Sequence, residues 1–421
     1  MRVFKFGGAS IASAKAIRNM GEIVRSQNDG PVVIVVSAMG KMTNHLEDLY
    51  QLKTVGNSYH ELLERFHSFH REILQDLGLE ANILSELLGK LETALERVYT
   101  DYNKGYDQVI CSGELFSSTI ISHYLNLILP EIQLLDARKF IKTDNVHRDA
   151  KIDWVNTEKQ VSSLFRNQKA QFFVTQGFIG STSNDITTTL GREGSDFTGA
   201  ILAHCLNADS LTVWKDVPGI LSADPKLIPD ASKIDELSYE EAAELTYYGA
   251  KVIHPKTIKP LANKGIPLYV RPFLDPKKAG TLISNNHIPK TISSIIFKEA
   301  QTLISFTVDD FTFINEKNLT QILHTLTHLN IKINLMQNSA ITFSICIDND
   351  PDKIDQLIGK LGNDFSIRYN DGLRLITIKN SNQIVIDEIS ENREILLEQK
   401  TRHNYQIVVK EQEIAPKVEG L

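Results

Sequence analysis

The sequence predicts an α/β protein, a mostly parallel sheet sandwiched by helices, followed by smaller α+β units of βαββαβ plan. Three observations predict it. The opening stretch reads strand (residues 3–6), glycine turn, helix (13–26) and strand (32–36), which is one βαβ unit. The second of these strands, Val32-Val33-Ile34-Val35-Val36, is apolar at every position. That suits a parallel strand covered on both faces and not an antiparallel strand with one wet face. After about residue 281, beyond a polar stretch containing a proline (284–290), strand and helix continue to alternate on a shorter scale.

Each element follows from local pattern. Leu62, Phe66, Phe69, Ile73 and Leu77 recur at three- and four-residue spacings, so a helical insertion is expected over 57–104. Strands at 172–175 and 211–214, with helices between, continue the large sheet. In the last third, strand 302–308, helix 316–329, strands 332–336 and 341–347, helix 351–361 and strand 365–369 make one complete βαββαβ unit. Strand 373–379, a helix near 385–399 and strand 406–410 supply only βαβ. The expected organisation is a first domain at 1–282, a linker at 283–300, a complete small unit at 301–370 and a reduced second unit at 371–421.

At 421 residues the chain exceeds what one hydrophobic core usually supports, so at least two domains are expected. With 42% hydrophobic and 23% charged residues it has the composition of an ordinary globular enzyme. A formal charge of -7 offers no electrostatic footprint for nucleic acid or an anionic membrane, so neither is an expected partner. Local positive groups must meet any anionic ligand. Cys111, Cys205 and Cys346 lie far apart in apolar or helical surroundings and are read as buried thiols of a reducing cytoplasm. They form no metal-ligand spacing. The most apolar run, 32–39, is too short to span a bilayer, and Arg2 and Lys5 lead straight into a strand with no signal-peptide pattern.

Five glycine- and charge-rich segments recur in order: KFGGAS (5–10), VVSAMGKMTN (35–44), SGEL (112–115), TTTLGREGSD (187–196) and WKDVPGILSADPK (214–226), with GAKVIHP (249–255) close behind. In this order they resemble the aspartate kinases of the amino acid kinase superfamily, from about Lys5 to about Thr281. The last third resembles that family's regulatory ACT region. The resemblance implies transfer of the γ-phosphate of ATP, carried with Mg2+, to the side-chain carboxylate of L-aspartate, the first step toward lysine, threonine and methionine.

Such a reaction needs no general base, because the acceptor carboxylate is already ionised at pH 7. It needs cations and backbone N–H donors aimed at two anions that repel each other. Lys5 stands at the end of the first strand beside Gly7 and Gly8, which let backbone approach phosphate closely, with Ser10 following. The family implies Lys251 as a second, mobile cation, with Val252 beside it, and Asp196 as the anion that holds the two lysines apart; Asp196 also suits a cap for a helix from Phe197. Lys215, Asp216, Leu221, Asp224 and Lys226 are the implied nucleotide segment. On the acceptor side the resemblance assigns Glu114 to the substrate ammonium and Arg192 to a carboxylate, with Ser37, Thr43, Glu193, Gly194 and Ser195 around them.

The chain departs from the family at Ala9 (usually threonine), Glu193 (usually glycine), and Lys215 and Lys226 in the nucleotide segment. Acetylglutamate, glutamate, carbamate and uridylate kinases share the lysine pair, but lack the helical insertion, the SGEL segment and the appended ACT region. A catalytically weak amino-acid sensor is the alternative from another class. Asn334 and Ser339 match candidate effector contacts of lysine-sensitive relatives, leaving lysine, threonine, both or neither as effector. A homodimer or higher homo-oligomer through paired sheet edges is expected.

Overall fold

The computed structural model describes residues 1–27, 30–129, 131–166, 170–250, 253–285, 292–308 and 313–410. The first half contains β1 (Arg2–Phe6), α1 (Ala14–Arg25), β2 (Val32–Val36), α2 (Met42–Thr54), α3 (His60–Leu77), α4 (Ser85–Glu96), α5 (Tyr102–Ile110), α6 (Ser112–Ile128), β3 (Ile132–Leu135), α7 (Trp154–Phe165), β4 (Phe172–Gln176), β5 (Ile179–Ser181) and β6 (Thr187–Thr189). Then come α8 (Gly194–Leu206), β7 (Ser210–Lys215), β8 (Ile220–Leu221), β9 (Lys233–Ile234), β10 (Glu236–Leu237), α9 (Tyr239–Tyr248), α10 (Pro255–Lys264), β11 (Leu268–Pro272) and β12 (Thr281–Ile283). The last third holds β13 (Ser294–Thr307), α11 (Glu316–His328), β14 (Ile333–Asn338), β15 (Thr342–Asp348), α12 (Pro351–Leu361), β16 (Ser366–Lys379), α13 (Gln383–Ser390), β17 (Ile395–Lys400) and β18 (Asn404–Lys410). No described helix is long and apolar enough to cross a membrane.

The chain divides into two compact units, Met1–Ile220 with Asp235–Ala243 and Val252–Ile288, and Leu221–Ile234 with Glu244–Lys251 and Pro289–Leu421. In the first, an eight-stranded sheet runs β10-β12-β11-β7-β1-β2-β4-β3. β1 lies between β2 and β7 and is parallel to both. The wholly apolar β2 is buried at every residue, as its composition requires of a central strand covered on both faces. α1 starts where the Ser13 side chain accepts from the N–H of Ala16, a sequence-local cap that ends the turn after β1. Its Ile17, Met20, Ile23 and Val24 join β1, β2 and the insertion helices in one core with Phe66, Phe116 and Trp214.

The second unit is built on a six-stranded antiparallel sheet, β14-β15-β13-β16-β18-β17. Two long strands organise it. Residues 301–307 of β13 pair with β15 on one side, and 303–307 pair with 366–370 of β16 on the other, giving the βαββαβ plan with α11 and α12 behind it. Residues 294–298 pair instead with 375–379, which in turn pair with β18.

Two sequence expectations need correcting here. The supposed linker contains strand from Ser294 onward, because Ile295, Ile296 and Phe297 alternate into the sheet. The helix expected near 385–399 ends at Ser390; Asn392 turns at φ +57°, and Ile395–Lys400 form β17. The C-terminal piece is therefore βαββ, and 294–298 supplies a fourth strand. Its core is Ile295, Ile376, Ile378, Val385, Ile389 and Ile407 with their neighbours, separate from the core of Ile304, Phe306, Ile322, Ile345 and Leu357.

Candidate active site

β1 carries Lys5 to the carboxyl end of the parallel sheet, where open α/β sheets bind their ligands. The chain then turns through Gly7 and Gly8. A Cβ at Gly8 would lie 2.7 Å from the carbonyl oxygen of Gly40 and 2.8 Å from that of Ala38, so glycine alone lets this turn lie against the one that follows β2. The N–H of Gly40 donates to the carbonyl of Gly8 across that contact, at 3.0 Å.

Asp196 sits in the first turn of α8, 2% exposed, and Lys5 is 7% exposed. Their Nζ to Oδ1 distance is 2.6 Å. Lys215, at the end of the neighbouring β7, brings its Nζ to 3.4 Å of the other carboxylate oxygen. Burial acts to raise the Asp196 carboxyl, but the two ammonium groups outweigh it and hold it below its ordinary value. Asp196 is thus a fixed anion between two cations. It orients charge and has no use as a proton acceptor at neutral pH. The N-terminal position of α8 is Glu193, so Asp196 is not the cap of a helix starting at Phe197, as the sequence suggested; the helix begins three residues earlier.

Among the described residues the second lysine on Asp196 is Lys215, a residue the family resemblance places in the nucleotide segment. Lys251 and Val252, expected as the second cation and its neighbour, lie outside the described residues.

Beside this group is a cavity of about 500 Å3, lined by Gly8, Ser37, Thr43, Glu114, Arg192, Glu193, Gly194 and Ser195 among others. All seven residues expected on the acceptor side meet there, although they come from three separate segments. Glu114, in the first turn of α6, is 2% exposed. Its Oε1 accepts from the N–H of Ala38 at 3.1 Å, and its Oε2 is buried without a partner among the described residues. Burial pushes its pKa up to about 8, opposed by hydrogen bonds from the N–H groups of Ala38 and Glu114 itself and by the charge of Lys5. A carboxylate held inside a cavity with one unspent oxygen is a receptor for a cationic donor such as an ammonium.

Glu193, where the family has glycine, adopts φ +54°, a left-handed backbone that favours glycine. Its Oε2 is also buried without a partner among the described residues. The predicted acceptor set misses Glu47, Tyr106 and Arg148, which line the same cavity. The Tyr106 hydroxyl donates to Glu47, and burial first, then Glu47, raises the phenol well above its ordinary value. Arg148 lies in a polar loop whose local sequence carries no signal, so spatial convergence alone finds it.

The remaining candidates divide as follows. Ser10 is buried, its Oγ donating to the carbonyl of Trp214 at 3.4 Å, and Asp216 is exposed just past β7. Leu221, Asp224 and Lys226 belong to the second unit, where the Asp224 side chain accepts from the N–H of Lys226 at 2.9 Å and shapes a turn. In that unit Asn334 Nδ2 donates to Gln301 and to Asp348, while its Oδ1 accepts from Lys298 Nζ at 2.7 Å. Ser339 braces the β14–β15 turn through both backbone polar groups of Thr342.

The model of the amino acid kinase family matches residues 1–272. The chain belongs to that family. Its similarity is to the aspartokinase branch: it is 32% identical over 353 residues to the lysine-sensitive aspartokinase 3 of Escherichia coli, spanning 82% of this chain and 78% of the relative. It is also 32% identical over 325 residues to the chloroplastic bifunctional aspartokinase/homoserine dehydrogenase of Daucus carota, covering 74% of this chain and 35% of that larger protein. The chain therefore spans about a third of the length of that bifunctional relative. Among solved structures, the fold superposes on E. coli aspartokinase III in complex with aspartate and ADP (R-state) with a TM-score of 0.84 at 28% identity, over 97% of this chain and 96% of that one.

Proposed function

We propose that this chain is an aspartate kinase, moving the γ-phosphoryl group of ATP to the side-chain carboxylate of L-aspartate to give 4-phospho-L-aspartate and ADP. The observation that carries the reading is the acceptor cavity, where buried Glu114 offers an unspent oxygen for an ammonium and Arg192 offers a fork for a carboxylate. A zwitterion with a second carboxylate matches that charge pattern. The relatives' names and the aspartate and ADP of the solved E. coli enzyme support the same assignment.

In this reading a carboxylate oxygen of aspartate attacks the γ-phosphorus while the bond to the β–γ bridging oxygen breaks, and ADP departs with the electron pair. No proton moves. Lys5 and Lys215 meet the charge that spreads over the transferring oxygens, and Asp196 keeps both aimed. The tight turn at Gly8 brings backbone N–H groups toward the phosphates. Mg2+ carried on the phosphates supplies further neutralisation of the β- and γ-oxygens. Lys251 is proposed as an additional mobile cation, on family resemblance alone.

The second unit is proposed as a regulatory ACT-type region that binds an amino-acid effector and pairs with a second copy. Among the described residues β14 and β17 are the sheet edges, and an unpaired edge is the natural place for another chain to add. Lysine is the effector to test first, because the E. coli relative is named lysine-sensitive and has a lysine-bound structure.

The decisive experiment measures ADP release with L-aspartate, N-acetylglutamate and UMP as separate acceptors. Turnover with aspartate alone is expected. Turnover with either of the others, or none with aspartate, removes the assignment.

A further inference from the structure

We infer that Arg148 is a second carboxylate-binding cation of the acceptor cavity, offsetting the charge of Glu193; this rests on the aspartate kinase reading above. Arg148 lines the cavity with its backbone at φ +68°, which favours glycine. The loop is held there by a buried anion. Asp107, wholly buried in α5, accepts from the Arg148 N–H at 3.2 Å, from Thr189 Oγ1 at 2.6 Å, and contacts His147 Nδ1 at 2.7 Å. Thr189 is the last residue of β6, so the same carboxylate ties the Arg148 loop to the strand leading into the Arg192 loop.

The two loops also touch directly. A Cβ at Gly191 would lie 2.6 Å from an Asp149 carboxylate oxygen and 3.2 Å from the Arg148 carbonyl. The Arg148 guanidinium carbon lies 4.2 Å from the centroid of the Tyr106 ring, a cation–π contact that limits the rotamers open to the side chain and its N–H donors. Among the described residues those donors make no hydrogen bond or ion pair.

Charge explains why they stay unspent. The cavity wall carries Glu47, Glu114 and Glu193 against Arg148 and Arg192. An acceptor with two carboxylates and one ammonium brings a further net negative charge. With Arg192 alone it would face three carboxyl groups and one cation; Arg148 supplies the second fork. Glu193, in a left-handed conformation on the opposite loop and with a buried free oxygen, is the added negative group that makes this second cation necessary.

Arg148→Gly is the informative variant, because glycine relaxes the positive φ, so loss of the side chain should leave thermal stability unchanged or raised. The expected result is a rise of about ten- to hundredfold in KM for aspartate, the loss typical of a charge-assisted contact. KM for ATP and kcat at saturating aspartate should stay within about twofold, and Arg148→Lys should recover part of the affinity. In a Glu193→Gly background the penalty should shrink, since the anion being offset is gone. An aspartate KM within twofold of the parent, in a parent that phosphorylates aspartate, overturns the role of Arg148 while leaving the kinase reading intact. So does a penalty that falls on ATP. A parent that does not phosphorylate aspartate removes both.

Discussion

Glu114 gives a quantitative pH test of the acceptor site. Its carboxyl is buried, with a pKa raised to about 8, yet the proposed role requires the ionised form to meet an ammonium. At pH 7 the free enzyme is then about one unit below that value, and deprotonation costs about 1.4 kcal/mol, or roughly tenfold in aspartate affinity. Binding should release a proton over this range. KM for aspartate is expected to fall about tenfold per pH unit between pH 6 and 7 and to level off near pH 8, with KM for ATP much flatter. Initial rates across pH 6 to 8.5, paired with calorimetry in buffers of different ionisation enthalpy, read both effects. In Glu114→Gln the slope and the proton release should vanish together. A slope that persists in Glu114→Gln, or a flat profile in the parent, would refute the assignment of the proton to this residue. The same shift has a stability consequence with a definite sign. The folded pKa lies above the ordinary value of 4.5, so the folded state holds the extra proton in between. The contribution is complete below about pH 4.5 and is lost as pH rises toward about 8. Urea unfolding at pH 5 and pH 9 should therefore show Glu114→Gln gaining on the parent at the higher pH.

Lys5→Ala should lower kcat by about 10²- to 10³-fold, the loss typical of one preorganised electrostatic donor; near-normal turnover would exclude Lys5 from the mechanism. Lys215→Met should lower kcat by about ten- to hundredfold if its contact with Asp196 orients charge, and an effect confined to KM for ATP would make it a nucleotide contact only. Gly8→Ala should destabilise the chain by about 1–3 kcal/mol and cut turnover, because its Cβ would press on two carbonyl oxygens that belong to backbone; an unchanged melting temperature would mean the turn yields freely. Lysine feedback should be weak, below about fivefold in apparent aspartate affinity, because the chain's own Lys298 ammonium already occupies Asn334 and Asp348. Lys298→Ala should strengthen it, and strong inhibition of the parent by millimolar lysine would show that the internal ammonium does not compete.

Local pattern determined much of this protein. The apolar run of β2, the helical spacing from Leu62 to Leu77 and the alternation in the last third each report an environment that a short window of residues must meet wherever it lies. Glycine at position 8 belongs to the same class, since close approach of backbone is written into the residue itself. Two boundaries escaped that logic. Residues 395–399 read as the continuation of a helix, and 294–298 as linker, because each becomes strand only by pairing with a distant partner, β18 and β16 respectively. The site divides the same way. Motif order was enough to propose Lys5, Glu114, Arg192 and Asp196 as one set, whose residue types fit one chemistry. That Lys215 reaches Asp196 was decided by β7 lying beside β1, and Arg148 became visible only once Asp107 drew its loop against the Arg192 turn. Electrostatics acts over a few ångströms in space and is indifferent to separation along the chain, so the pairing of charges is a property that tertiary structure alone can fix.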